Sequence, residues 1–275
     1  MIHKLETKNI TMKFGTETII SDISIAVDQG ELVSLLGISG SGKTTLFNCI
    51  AGIYEPASGS VLLDGEDITG TTGHLSYMQQ KDLLLPYKTI EDNVALSLII
   101  RDVPKGEARR AAREYFEEFG LTGTEKKYPK QLSGGMRQRA ALLRTYLFSD
   151  NIALLDEPFS ALDTITKGHI HNWYLDVMEK IRLTTVFITH DINEAILLSD
   201  RICIMTGKPG RIRAEIRIQE PRGHRQDFDL SDEFMKYKRQ IMHFLGESRQ
   251  REESDPGRSY SARKRGTVNG TDIET

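Results

Sequence analysis

The hydrophobic pattern along the chain changes period several times. Ile19, Ile23, Ile25 and Val27 fall on odd positions, the period of a half-buried strand. A turn at Gln29-Gly30 leads into a mostly apolar strand from Glu31 to Leu36, a Gly-rich loop, and a helix from about Lys43 to Ile50 that stops near Gly52. Ser60 to Leu63 and Leu75 to Gln79 read as further strands, with Asp64-Gly65 as a turn between them. Ala108, Ala111, Ala112, Tyr115, Phe116 and Phe119 then recur at spacings of three and four, which predicts an amphipathic helix closed by Gly120.

Beyond that helix, Met136 to Leu147 reads as a helix, Ile152 to Leu155 as a buried strand, about Thr166 to Ile181 as a helix and Thr185 to Thr189 as a strand. Another helix and a strand at Arg201 to Met205 follow. The alternation predicts a mainly parallel sheet covered on both faces, interrupted by a helical insertion at about 81–132, or 81–146 with the helix that follows. Ile212, Ala214, Ile216 and Ile218 predict a last strand. Phe234, Tyr237, Ile241, Phe244 and Leu245 predict a last helix, capped by Ser231 and stopped by Gly246. Apolar residues are scarce from Glu247 onward, where six basic residues balance six acidic ones, so 247–275 reads as a disordered tail beside a 1–246 domain.

Composition narrows the function classes. A net charge of −3 lacks the basic excess of a nucleic-acid binder, so no nucleic-acid partner is expected. Cys49 and Cys203 lack CxxC spacing and read as core thiols of a reducing compartment. The N-terminal MIHKLETKNI has no apolar stretch of the signal-peptide kind, and no apolar run approaches the roughly 20 residues that span a bilayer. A membrane path, if one is involved, must come from another chain.

Two motifs carry the chemistry. Gly37-Ile38-Ser39-Gly40-Ser41-Gly42-Lys43-Thr44 fits the phosphate-binding pattern GxxxxGK[ST], between a strand and a helix as that motif requires. Its backbone N–H groups and the positive end of the helix dipole suit phosphate oxygens, Lys43 suits the β and γ phosphates, and the Thr44 hydroxyl suits Mg²⁺. The apolar strand Ile152 to Leu155 ends in Asp156-Glu157, where a parallel sheet exposes its chemistry. Asp156 is placed for a Mg²⁺ hydration shell and Glu157 for polarising an attacking water. Read singly, such a carboxylate pair is also a solvated turn.

Leu132-Ser133-Gly134-Gly135-Met136, followed by Arg137-Gln138-Arg139, resembles the LSGGQ signature of ATP-binding cassette (ABC) ATPases. By itself that stretch would read as a flexible loop before a helix, but the other motifs stand in the family's order. Ser160-Ala161-Leu162-Asp163 resembles its D-loop, His190 its switch histidine, Gln80 its Q-loop glutamine and Phe14 its adenine-stacking aromatic. Met136 replaces the usual Gln, Gln79 stands where an aromatic is usual (so that Gln79 and Gln80 are distinguishable only by register), and Tyr87 follows Pro86 where related importers often carry Trp.

The resemblance implies an α/β fold: a P-loop NTPase ABC cassette with a RecA-like core, an N-terminal antiparallel β subdomain and an inserted helical subdomain. It implies ATP and Mg²⁺ as ligands. Glu157, His190 and Lys43 would be catalytic. Phe14, Gly37, Ser39, Gly40, Ser41, Gly42, Lys43, Thr44, Thr45, Gln80, Ser133, Gly134, Gly135 and Asp163 would bind nucleotide, and Thr44, Gln80 and Asp156 would bind the metal. Ser133 to Gly135 would close over the nucleotide of a second copy in a head-to-tail dimer. Lys81 to Tyr87 and Lys208-Pro209-Gly210-Arg211-Ile212 are similar to the nitrate/sulfonate/taurine importer branch, which includes cassettes for pyrimidine precursors of thiamine. That branch implies an ATPase subunit of a bacterial importer, peripheral on the cytoplasmic face of the membrane, beneath integral permease subunits fed by a separate solute-binding protein. Leu83 to Leu85 with Tyr87 would then grip a permease helix, or would serve ordinary packing. A non-transport ABC ATPase and a nucleotide-dependent regulatory module are the alternatives.

Overall fold

The computed structural model describes residues 2–149, 151–160, 164–225 and 227–253. Strands β1 (Leu5–Phe14), β2 (Glu17–Val27), β4 (Ser58–Leu63) and β5 (Glu66–Asp67) form an antiparallel sheet in the order β2-β1-β4-β5. The second sheet holds β3 (Leu32–Gly37), β6 (Ser76–Met78), β7 (Ile152–Asp156), β8 (Thr184–Thr189), β9 (Arg201–Thr206) and β10 (Arg211–Arg217), in the order β10-β9-β3-β8-β7-β6. Within it only the β9–β10 pairing is antiparallel. Every residue of β3, β7, β8 and β9 is buried, as expected of strands covered on both faces.

The helices are α1 (Lys43–Ile50), α2 (Ile90–Val94), α3 (Leu96–Ile100), α4 (Lys105–Glu114), α5 (Gly134–Phe148), α6 (Thr164–Ile181), α7 (Ile192–Leu198) and α8 (Asp232–Glu253). One apolar cluster joins the α2–α5 region to the sheet face carrying Leu155 and Phe187, a second fills the space between the sheets around Phe47 and Ile23, and a third seats α7 and α8 over Ile202 and Ile204. Cys49 and Cys203 are free and buried, and burial pushes their thiols up to about 11 and about 12.

Three local expectations are corrected. In β2 it is Ile20, not Ile19, that is buried with Ile23, Ile25 and Val27. Ile10 pairs with Ile23 but Met12 with Ile20, so β2 spends an extra residue here, and Asp22 takes a left-handed φ of 56°. Such a bulge reverses the in-out parity of a strand. The helix predicted up to Phe119 is regular only to Glu114 and continues as turns to Gly120, although Phe116 and Phe119 remain buried. Gly246 does not stop the last helix, which starts after a Ser231 cap (Phe234 N–H to Ser231 Oγ, 3.1 Å) and runs on to Glu253. The remainder of the predicted tail, 254–275, lies outside the described residues.

Candidate functional site

The parallel strands deliver their chemistry at their C-terminal ends. β3 runs into loop 38–42 and then α1, β6 leads to Gln80, β7 to Glu157 and β8 to His190. The loop is glycine-dependent. Gly40 and Gly42 have φ of 81° and 93°. A Cβ on Gly42 would lie 2.5 Å from Ile20 Cγ2, and one on Gly37 would collide with the Met205 carbonyl. No side chain caps the start of α1 and no acidic residue lies in its first turn, an arrangement that suits an anion at its leading N–H groups.

Ser39, Gly40, Gly42, Lys43, Thr44 and Thr45 line one side of a cleft of about 710 Å³, and Gln80, Asp156, Glu157 and His190 line the other, with Ile19 and Ile188 between them. The volume suits a small organic ligand. Lys43 is buried and its Nζ donates to the carbonyls of Gly37 and Ile38, both at 2.9 Å. Burial lowers the pKa of its ammonium, while Glu157 and Asp156 oppose that shift. Thr44 Oγ1 donates to Asp156 Oδ2 at 3.0 Å. Burial raises the Asp156 carboxyl, the Thr44 hydroxyl lowers it, Glu157 raises it and Lys43 lowers it. One hydroxyl and one carboxylate are hard oxygen donors, a donor set that fits Mg²⁺.

Glu157 holds a left-handed φ of 46°, fixed by its N–H donating to the Ile188 carbonyl at 3.0 Å. Backbone in this region costs energy and gathers at functional positions. Its carboxylate faces both neighbours: Gln80 Nε2 donates to Oε2 at 3.0 Å, and His190 Nδ1 lies 3.1 Å from Oε1. Gln80 thus lines the cleft as expected, but its amide meets Glu157 rather than Thr44 or Asp156.

Other expected site residues stand apart from this cleft. Gly37 and Ser41 shape the loop from within: Ser41 is buried and donates to the Ile38 carbonyl at 3.0 Å. Phe14 is half exposed at the end of β1 and meets Tyr54 edge-on at 5.5 Å; sequence reasoning missed Tyr54. Ser133 is exposed and caps α5 by accepting from Met136 N–H at 3.3 Å. Gly134 lines a second cleft of about 720 Å³ that also reaches Gln80, Glu157 and His190, while Gly135 is buried. Asp163 lies outside the described residues.

Arg137, read in the sequence only as a continuation of the signature, and Arg144, not singled out there, both reach the segment after Gln80. Arg137 Nε is 3.2 Å from Asp82 Oδ2, and Arg144 donates to the Leu83 and Asp82 carbonyls at 2.9 and 2.6 Å. Their spacing of seven along α5 was the available signal, because it puts them on one helix face. They tie the signature helix to the segment after Gln80. In that segment Leu84 points into the core, whereas Leu83 and Tyr87 are exposed. Leu83, Leu96, Ile53, Ile100 and Phe148 line an apolar groove of about 440 Å³. Among the described residues no helix is long and apolar enough to cross a membrane.

Residues 20–160 match the family model described as ABC transporter. The chain is 44% identical over 204 residues to the formylaminopyrimidine import ATP-binding protein ThiZ of Halalkalibacterium halodurans, covering 74% of this chain and 80% of that protein. It is 39% identical over 215 residues to the aliphatic sulfonates import ATP-binding protein SsuB of Bacillus cereus, covering 78% and 84%. The dimeric structure of the bacterial ABC transporter cassette MJ0796 superposes with a TM-score of 0.67 at 30% identity, over 79% of this chain and all of that one. A post-hydrolysis state of that cassette, bound to ADP and Pi, superposes at 0.66.

Proposed function

The chain belongs to the ABC transporter ATP-binding family, and from that premise we propose that it is the ATP-binding and ATP-hydrolysing subunit of an importer, coupling hydrolysis to solute uptake through a separate permease. The observation that carries the reading is the meeting of the glycine loop, Asp156, Glu157 and His190 at one cleft. The import subunits among its relatives favour transport over a repair or regulatory role. Residues 1–246 are read as the ATPase domain and 81–146 as its helical insertion.

The loop N–H groups and the α1 N-terminus bind the β and γ phosphates of ATP. Lys43 exchanges the Gly37 and Ile38 carbonyls for phosphate oxygens, a favourable exchange for a buried ammonium. Thr44 and Asp156 would hold Mg²⁺, which would supply charge neutralisation at the phosphate oxygens. Glu157 accepts a hydrogen bond from the attacking water and draws its proton as the water oxygen bonds to the γ phosphorus and the bond to ADP breaks. Gln80 and His190 engage its two oxygens and so aim it. Phe14 stacks on adenine, supported edge-on by Tyr54.

Ser133 and Gly135 stand away from the chain's own phosphate cleft, which supports a head-to-tail dimer in which Ser133, Gly134 and Gly135 cover the partner's nucleotide. The dimeric cassette among the structural relatives supports the same assembly. The apolar groove beside Leu83 receives a permease helix, which holds the chain at the cytoplasmic face of the membrane, and a solute-binding protein delivers cargo from the other side. The test is Mg²⁺-dependent ATP turnover by the purified chain. Turnover per chain is expected to rise with protein concentration as dimers form, and to vanish in Lys43→Ala. Turnover equal to that of Lys43→Ala would overturn the reading.

A further inference from the structure

His190 stands at the end of β8 with a side chain 57% exposed, so little packing decides where its ring points. The turn that follows it is nevertheless closed by a ring of hydrogen bonds anchored on one buried contact. Thr189 Oγ1 donates to Glu194 Oε2 at 2.7 Å and accepts from the Asp191 N–H at 3.0 Å. Asp191 Oδ1 in turn accepts from the N–H groups of Asn193 and Glu194 at 2.8 and 3.3 Å, capping α7. The His190 peptide is enclosed between two residues of this ring and makes no part of it.

Glu194 is 3% exposed, and a buried charge is tolerated only when paired and hydrogen-bonded. Its second oxygen is paired: Lys167 Nζ donates to Oε1 at 2.8 Å, and His171 Nε2 lies 3.6 Å away. Both come from α6, the helix reached from Glu157 and Ser160. Lys167 also approaches Asp191 Oδ2 at 3.9 Å. One carboxylate therefore joins the strand end that carries His190 to the helix that follows Glu157.

We propose that Glu194 is a positioning residue for hydrolysis: through Thr189 and Lys167 it fixes the His190 backbone relative to Glu157, so that the imidazole keeps its 3.1 Å approach to the Glu157 carboxylate. It touches neither nucleotide nor water. The inference rests on the proposed ATPase function, and its consequence is specific. Weakening the ring leaves ATP binding alone and slows the chemical step, because the loop and Lys43 are untouched while the pair that aims the water loses its register.

The test is a double-mutant cycle on ATP turnover in the full-length chain, with single-turnover phosphate release to resolve slow variants. Glu194→Gln is expected to lower kcat between about tenfold and a hundredfold, the range for misplacing a catalytic group, with KM for ATP within about twofold. In a His190→Ala background the same change is expected to cost less than about twofold, since its effect passes through His190. Thr189→Val, which removes the hydroxyl but keeps the shape, is expected to reproduce the loss, and Thr189→Ser to restore it. The Thr189 pair decides the matter even if Glu194→Gln fails to fold. Equal losses with and without His190, or a Thr189→Val enzyme of unchanged kcat, would overturn the proposal. If His190→Ala alone leaves turnover intact, the ATPase reading of the site fails instead.

Discussion

Gln80 and Glu157 are 77 positions apart, yet the Gln80 amide donates to the Glu157 carboxylate at 3.0 Å. The sheet makes this meeting inevitable. β6 pairs in parallel with β7 so that Met78 faces Leu155, and two residues further along each chain stand Gln80 and Glu157. The same register distinguishes Gln80 from Gln79, which does not line the cleft. Gln80 also begins the segment that Arg137 and Arg144 bind from α5, so a shift of α5 would be passed to the Gln80–Glu157 contact.

Replacing Glu157 by Gln tests that group directly. The amide keeps the size of the side chain but cannot draw a proton, so turnover is expected to fall by at least about a hundredfold. ATP affinity should be nearly unchanged, because Lys43, Thr44 and the loop remain. With ATP and Mg²⁺ the variant is expected to accumulate as a dimer, visible by size-exclusion chromatography with light scattering. Near-normal phosphate release would remove Glu157 from its role.

The turn after β9 is a structural partner of the phosphate loop. Gly210 N–H donates to the Ile19 carbonyl at 2.8 Å, its own carbonyl accepts from Ser21 N–H at 3.0 Å, and a Cβ added to it would collide with the Ser41 carbonyl. Gly210→Ala must therefore push on the loop backbone between Gly40 and Gly42. It is expected to destabilise the fold by about 1–3 kcal/mol, as overpacking does, and to weaken ATP binding as well. Thermal melts with and without ATP separate the two effects, and a variant that binds ATP normally would show that the loop is not set from this side.

What was legible in the sequence follows from local rules, and what was not depends on contacts between distant segments. The glycine loop, Asp156-Glu157 and the buried strands announce themselves by spacing and composition. The parity of β2 was misread because the bulge at Asp22 has no local apolar signature. Arg201 is buried with Glu31, to which its Nε and one NH group donate at 2.8 and 2.9 Å, although the two are 170 positions apart. Arg225, also buried, donates to the Leu197 and Ser199 carbonyls at the end of α7 at 3.0 and 2.7 Å, and burial lowers its pKa to about 10. No pattern along the chain marks either arginine as interior.

Gly246 is the clearest case of a local rule overridden. Glycine commonly ends helices, yet α8 continues past it to Glu253, and a Cβ there would meet nothing within 4 Å. Alanine at this position removes the entropic penalty of glycine inside a helix. Gly246→Ala is expected to stabilise the protein by about 1 kcal/mol, or roughly 2 °C in Tm, without altering ATP turnover. A lower Tm would mean that Gly246 terminates the helix in solution.

The buried Glu194 carboxylate also sets an acid limit to stability. Burial alone would raise its pKa, but His171, Lys167 and Thr189 around it prevail and hold it down to about 2, against an ordinary 4.5. A carboxyl whose pKa is lower in the folded than in the unfolded chain stabilises the fold fully above the unfolded value, and loses that contribution as pH falls through the folded one. The sensitive window is therefore about pH 4.5 down to about 2. A shift of this size corresponds to about 3 kcal/mol. Urea unfolding at pH 7 and at pH 3.5, about one unit into that window, captures roughly the first 1.4 kcal/mol of it. The wild type is expected to lose stability between the two, and Glu194→Gln to begin less stable at pH 7 and to lose distinctly less on acidification. An identical acid loss in both proteins would show that the Glu194 carboxyl titrates at its ordinary value and that Lys167 does not hold it.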